Sequence, residues 1–266
     1  MFSSIFAKER LSRRHALHIE AKQAVCTYIP KNACSTLRFS VAIANGMPRN
    51  DATQAYIHTR MPAMVASRQE LAHSTYAFVI LRCPFRRIAS AFLDKAAVED
   101  SRARALFPRH RSLLDSSAKK RTATADLQAK VMALTFSDFL EQLRTCPSHL
   151  IDPHFRPQTD FLIKQGYSQY FAVESMPLAE ATLREKLGFQ LIDLSHHAIG
   201  KLAKTSVDAS NLTISELIDI KASGHAPHYT SLFTSATRRV VETFYAADIA
   251  LYKRQFGSEA LLFADT

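Results

Sequence analysis

The chain has 266 residues, 47% of them hydrophobic, and carries 34 Lys and Arg against 24 Asp and Glu, a formal charge of +10. That length and apolar content suit one large α/β domain, residues 1–266, better than two independent ones. No apolar run approaches the ~20 residues of a membrane span, and Cys26, Cys34, Cys83 and Cys146 form neither a C-x-x-C pair nor a metal-ligand spacing, which argues against zinc and disulfides.

In chain order, residues 1–22 join Phe2, Ile5 and Phe6 to a basic segment with Arg10, Arg13 and Arg14, read as a short amphipathic helix or arm packed on the domain. Lys8, Glu9 and Arg10 directly follow the apolar start, so no signal peptide or anchor is expected, although peripheral membrane contact stays open. A β-prone run from Val25 should end near Ile29, because Pro30 cannot donate to a sheet ladder. Ser35 and Thr36 are natural helix-start residues whose hydroxyls can satisfy free amides, and Leu37, Val41 and Ala44 continue a helix that should stop at Gly46. This strand, loop and helix aim backbone amides, two hydroxyls and Lys31 at one point, an arrangement that attracts an anion.

Residues 50–75 read as helical pieces around Tyr56 to Pro62, with His58 among them. The same grammar then recurs. A strand from Ala77 to Leu81 ends on Arg82, Pro84 takes a first helical position, and Phe85, Ile88, Ala89, Phe92 and Leu93 follow at core spacing. Arg82 at the strand tip and Ser90, read on the polar side of that helix, can hold a second, separate phosphate.

From 99 to 130 the apolar fraction falls and arginines and lysines gather, which fits a solvated insertion or, functionally, a lid or acceptor loop. Helical pattern returns at Phe136, Phe139, Leu140 and Leu143. A strand candidate, Tyr170 to Glu174, precedes a helix from Leu178 to Leu187 closed by Gly188, and a long last helix should run from about Ala236 to Gln255. Strands alternating with helices argue for a parallel sheet.

The stretch Ile29-Pro-Lys-Asn-Ala-Cys-Ser-Thr-Leu37 resembles the 5′-phosphosulfate loop of the sulfotransferases that use 3′-phosphoadenosine 5′-phosphosulfate (PAPS), in particular the Golgi carbohydrate sulfotransferases and their bacterial relatives. Arg82 through Lys95 resembles the family's 3′-phosphate segment, R-D-P-x-x-R-x-x-S-x-x-x-x-K, with Cys83 standing where Asp is usual. His154-Phe-Arg-Pro-Gln158 resembles an H-W-x-P-Q signature, and Tyr245 to Tyr252 a Y-x-x-D-x-x-L-[FY] stretch. His196 to Ser206 is a weaker match to H-x-N-x-S, in which Lys201 or Lys204 would touch the 3′-phosphate, and a solvated basic loop is the preferred reading of it.

The resemblance implies a P-loop-like parallel β-sheet flanked by helices, PAPS as donor, and a hydroxylated acceptor, a glycan in the first instance. The donor site it implies is Lys31, Asn32, Ala33, Cys34, Ser35, Thr36, Arg82 and Ser90. Lys31 would stabilise charge growing on the bridging oxygen of the leaving nucleotide. The sulfuryl group bears less charge than a terminal phosphoryl, which makes a metal less necessary, and the loop lacks the glycines of G-x-x-x-x-G-K-[ST]. For the base, His58 lies where the heparan sulfate 2-O-sulfotransferases place a catalytic histidine, and His154 is the second candidate. A histidine titrates near neutrality, as removal of a hydroxyl proton during attack requires. The expected setting is cytoplasmic. Two other readings are a bisphosphate-binding module without catalysis, which the Cys83 departure motivates, and a basic nucleic-acid-binding protein, for which no motif is found.

Overall fold

The computed structural model describes residues 2–59, 61–98, 128–147, 150–194 and 202–264. Most of the 99–130 insertion, and His196 to Lys201, lie outside them. The chain forms the α/β architecture expected, a sheet of mainly parallel strands flanked by helices. Its residues gather into two compact units, one built from 1–83, 157–197 and 251–260, the other from 84–156, 198–250 and 261–266.

The first unit opens with helix α1 (Phe2–His15), which leads directly into strand β1 (Ala16–Ile19). Strand β1 was not read from the sequence, because four residues beside a basic helix carry too little alternation to stand out. It pairs antiparallel with β2 (Ala24–Thr27), Ala16 opposite Thr27. β2, β3 (Tyr76–Leu81) and β4 (Gln169–Ala172) are parallel, with Thr27 opposite Val79 and Leu81 opposite Ala172. Three carboxyl ends therefore lie on one side of the sheet, which is where ligands bind in open α/β sheets. The loops leaving those ends carry Lys31, Arg82 and Glu174.

Two strand boundaries differ from expectation. β2 stops at Thr27, two residues short of Ile29, and β4 gives way at Val173 to a single 3₁₀ turn, Val173–Ser175. Beyond β2 the Tyr28 amide still donates to His15 O at 3.0 Å, and packing does the rest: Tyr28 and Ile29 are buried, and Tyr28 sits in the main cluster with Cys26, Leu37, Phe39, Val41, Phe78, Phe171 and Phe189. Helix α2 (Cys34–Ala44) packs on β1, and α7, the helix Met176–Leu187, on β4. Gly188 ends the latter at φ +56, the left-handed cap that glycine adopts without a Cβ clash. Two short helices, α3 (Asp51–Tyr56) and α4 (Arg68–His73), fill the connection between β2 and β3.

The second unit is built on α5 (Pro84–Ala91), which begins at the proline as expected and runs into a π-helical turn, Phe92–Ala96. Phe92 meets Phe136 and Phe139 of α6 (Phe136–Arg144) at 5.0 and 5.2 Å between ring centroids, and Phe139 meets Phe155 at 4.8 Å. Lys221 of α8 (Ile214–Ala222) donates to the carbonyls of Leu93 and Ala97, closing the turn's carboxyl end with a cation. Two short parallel strands, β5 (Ala203–Thr205) and β6 (His225–Pro227), complete this unit.

The long last helix is in fact two, α9 (Ser235–Phe244) and α10 (Ala246–Phe256). They part at Tyr245, where the backbone leaves the helical region at ψ +25 and the buried hydroxyl donates to Phe155 O at 2.5 Å. Helical periodicity carries no mark of such a break, since Tyr245 occupies a core position on either reading.

Among the described residues Arg87 is the largest side chain fully enclosed, and its guanidinium donates to Arg156 O at 2.7 Å and Pro153 O at 3.3 Å. Arg87→Met is expected to remove both of these bonds at a cost of about 2–4 kcal/mol. Denaturant unfolding checks this; a change under about 0.5 kcal/mol would deny Arg87 its role as the clamp of the 153–156 segment.

Candidate functional site

The turn after β2 takes its shape from backbone that non-glycine residues seldom adopt. Lys31 has φ +73 and Ala33 φ +52, both left-handed, a conformation that costs a residue with a Cβ about 1–2 kcal/mol. Such strain marks functional loops when the surroundings hold it in place. Ala33 is the N-cap of α2 and supplies no side-chain cap, so amides of the first turn keep the positive character that attracts an anion. This corrects the expected start of the helix. It begins at Cys34, one residue before Ser35, and the Thr36 hydroxyl is turned to other use, accepting from Leu194 N at 3.2 Å. Ser40 likewise accepts from Ile192 N at 2.8 Å, so the α2 hydroxyls fasten the segment after α7. Lys31, Ala33, Cys34 and Ser35 are half-buried, while Asn32 and Thr36 are buried.

The strand-tip residue Arg82 is half-buried and joined to this loop, its Nη1 donating to Lys31 O at 3.0 Å. Gln158 makes the second join. Its Oε1 accepts from Asn32 Nδ2 at 2.6 Å and from Arg82 N at 2.9 Å, and its Nε2 donates to Arg82 O at 2.9 Å. Asn32 Nδ2 also donates to Ile80 O at 3.0 Å, tying the loop to β3. Gln158 opens a 3₁₀ turn, Gln158–Asp160, that is held from α1: Lys8 Nζ lies 2.7 Å from the buried Asp160 carboxylate. The signature allowed Arg156 and Gln158 to hold the fold or the acceptor together; nothing in its spacing predicted a buried amide bridging these two loops.

Cys83 is buried, and its amide donates to Glu174 Oε1 at 3.2 Å, whose other oxygen accepts from the Tyr252 hydroxyl at 2.9 Å. The turn at Cys83 is thus anchored by a carboxylate from β4's end, and Tyr252 of the C-terminal stretch gains a defined task.

His58 follows α3 in the first unit, exposed, with its amide on Ala55 O. Its turn is docked on α2 by Arg38, whose guanidinium donates to Thr59 O and lies 4.6 Å from the centre of the Tyr28 ring. Burial pushes the Tyr28 hydroxyl above its ordinary pKa, Arg38 works against this, and Cys34 adds to it.

Ser90 and His154 belong to the second unit. Ser90 is buried, which corrects its reading as a polar-face residue; helix α5 is enclosed on nearly every side. His154 Nδ1 lies 2.6 Å from Asp152 Oδ1, and its amide also donates to that oxygen. Burial alone would raise the Asp152 carboxyl, but the His154 hydrogen bond and charge, the His154 amide and Lys95 together bring it below the usual carboxylate range. Lys95 itself pairs with Asp94 at 3.1 Å. A carboxylate on Nδ1 fixes ring orientation and tautomer, leaving Nε2 to exchange a proton. Of the two lysines in the weaker stretch, Lys204 stands 5.3 Å from the Tyr229 ring centre, and Lys201 is outside the described residues.

Among the described residues no helix is long and apolar enough to cross a membrane. Residues 14–255 match the family model described as "Sulfotransferase family". No curated protein and no solved structure matches the chain.

Proposed function

Because the chain belongs to the sulfotransferase family, we propose that it moves a sulfuryl group from PAPS to a hydroxyl, in the first instance of a carbohydrate, in the cytoplasm. The observation that carries this reading is the strained Lys31–Thr36 turn at an uncapped helix start, joined to Arg82. Its donor set suits the molecule: amides and an ammonium for the phosphosulfate, a guanidinium for the 3′-phosphate. Asn32, Ala33, Cys34, Ser35 and Thr36 shape the first cradle, and Arg82 serves the 3′-phosphate.

In the proposed reaction the acceptor oxygen forms a bond to sulfur as the bond between sulfur and the bridging phosphate oxygen breaks. The acceptor proton passes to a histidine, and the electron pair leaves with the nucleotide. Lys31 stabilises the charge that grows on the bridging oxygen. His58 takes the proton on the strength of its place between the two anion segments, and its turn is fastened to the donor-loop helix through Arg38. One observation favours His154 instead, its short contact with Asp152.

Adenosine 3′,5′-bisphosphate is expected to raise the melting temperature by several degrees, since a ligand at a hundred times its dissociation constant stabilises by about 2.7 kcal/mol. Arg82→Ala should weaken binding. No thermal shift at about millimolar nucleotide, with calorimetry silent, removes the cofactor assignment. Transfer of label from PAPS to a panel of hydroxylated glycans tests the activity, and binding without transfer to any of them leaves the non-catalytic module.

A further inference from the structure

The hydrogen bonds around Gln158 close on themselves. Lys31 and Asn32 are consecutive; Asn32 donates to Gln158, Gln158 pairs with both the N–H and the C=O of Arg82, and the Arg82 side chain returns to Lys31 O. Every link lies in one unit, and Gln158 and Asn32 are each only 1% exposed. The carboxamide of Gln158 reads the Arg82 peptide as a neighbouring strand would, so that peptide has no freedom to rotate alone. Both lone pairs of Oε1 are engaged. In a dry environment such a ring is stiff and its bonds reinforce one another, so a shift of Arg82 must displace the Lys31 carbonyl, and with it a loop already held in left-handed backbone.

We propose that Gln158 is a positioning residue for donor specificity, coupling Arg82 to the Lys31–Asn32 turn so that a 3′-phosphate bound at Arg82 sets the loop that receives the 5′-phosphosulfate. The inference rests on the proposed donor, and it adds a consequence that separate phosphate sites do not have. The 3′-phosphate contributes more than its own contact with Arg82, because occupying one end of the ring restrains the other. A nucleotide that lacks it meets a loop whose lysine carbonyl is less firmly placed.

The test compares adenosine 3′,5′-bisphosphate with adenosine 5′-phosphate by calorimetry on the full chain, in wild type, Gln158→Leu and Asn32→Ala. Asn32→Ala matters most, since it cuts the ring on the loop side and leaves the Gln158 pairing with Arg82 intact. Each variant is expected to narrow the preference for the bisphosphate by about fivefold or more, the lower range of coupling between sites. A general loosening of the fold would weaken both nucleotides alike and leave the ratio unmoved, and that result in folded variants overturns the inference. If Gln158→Leu does not fold, Asn32→Ala decides alone. In a double-mutant cycle, Asn32→Ala and Arg82→Ala should be less than additive toward the bisphosphate; strict additivity also overturns the coupling. Failure of the wild type to bind either nucleotide is a different result, which removes the proposed donor and the inference with it.

Discussion

Lys31→Ala is expected to lower sulfuryl-transfer turnover by about a hundredfold to a thousandfold, the usual loss when one group stabilising developing charge is removed. Affinity for adenosine 3′,5′-bisphosphate should fall far less, because the proposed partner of the ammonium is charge that exists only as the sulfur–oxygen bond breaks. Lys31 also holds a left-handed φ of +73 and offers its carbonyl to Arg82, but these are backbone properties that alanine retains. Single-turnover kinetics beside calorimetry separates the two effects. Equal losses in turnover and affinity would make Lys31 a binding residue only.

The second large effect divides the histidines. His58→Ala is expected to reduce transfer by about 10²–10⁴-fold, the range for a lost general base, with donor binding and melting temperature unchanged because the side chain is exposed. His154→Ala should change stability or acceptor affinity, since its ring is hydrogen-bonded to Asp152 beside the packed Phe155. Should His58→Ala keep near-full turnover while His154→Ala abolishes it with donor binding intact, the base is His154. Asp152 then becomes its orienting carboxylate, and Asp152→Asn should reproduce much of the loss by presenting the wrong hydrogen-bond partner to Nδ1.

The elements with strong local signals were legible: the apolar run of β3 into Arg82, Pro84 at a helix start, Gly188 at a helix end. So was the strand–turn–helix from β2 to α2, because a proline stops the ladder and an apolar helical period follows it. What escaped reading depends on contacts made far away in sequence. Ser35 and Thr36 looked like caps, yet Thr36 serves Leu194 N and the helix starts on Ala33 without a side-chain cap. Ser90 looked solvent-facing because a single helix cannot announce that it will be enclosed. Tyr245 breaks an apparently continuous helix for one buried bond to Phe155 O. The partners of Arg87 and Gln158, both buried polar groups, were invisible, since local pattern reports where a side chain faces and never which carbonyl it finds there.

The bridge between Asn32 and Gln158 spans 126 residues of chain, and this bears on the order of events during synthesis. A ribosome adds about 5–20 residues per second, so for roughly 6–25 s the donor loop exists while its partner has not been made. In that interval β2 and β3 can be present together, and Ile80 O and Arg82 are already available to Asn32 and Lys31, but the Gln158 bridge is missing and the loop is held less firmly. Bringing the two ends together late also requires closing a long segment against its chain entropy. The nascent protein therefore keeps β3's far edge open until β4 arrives, and a substitution that slows docking of β4 lengthens the time that edge is available to another chain.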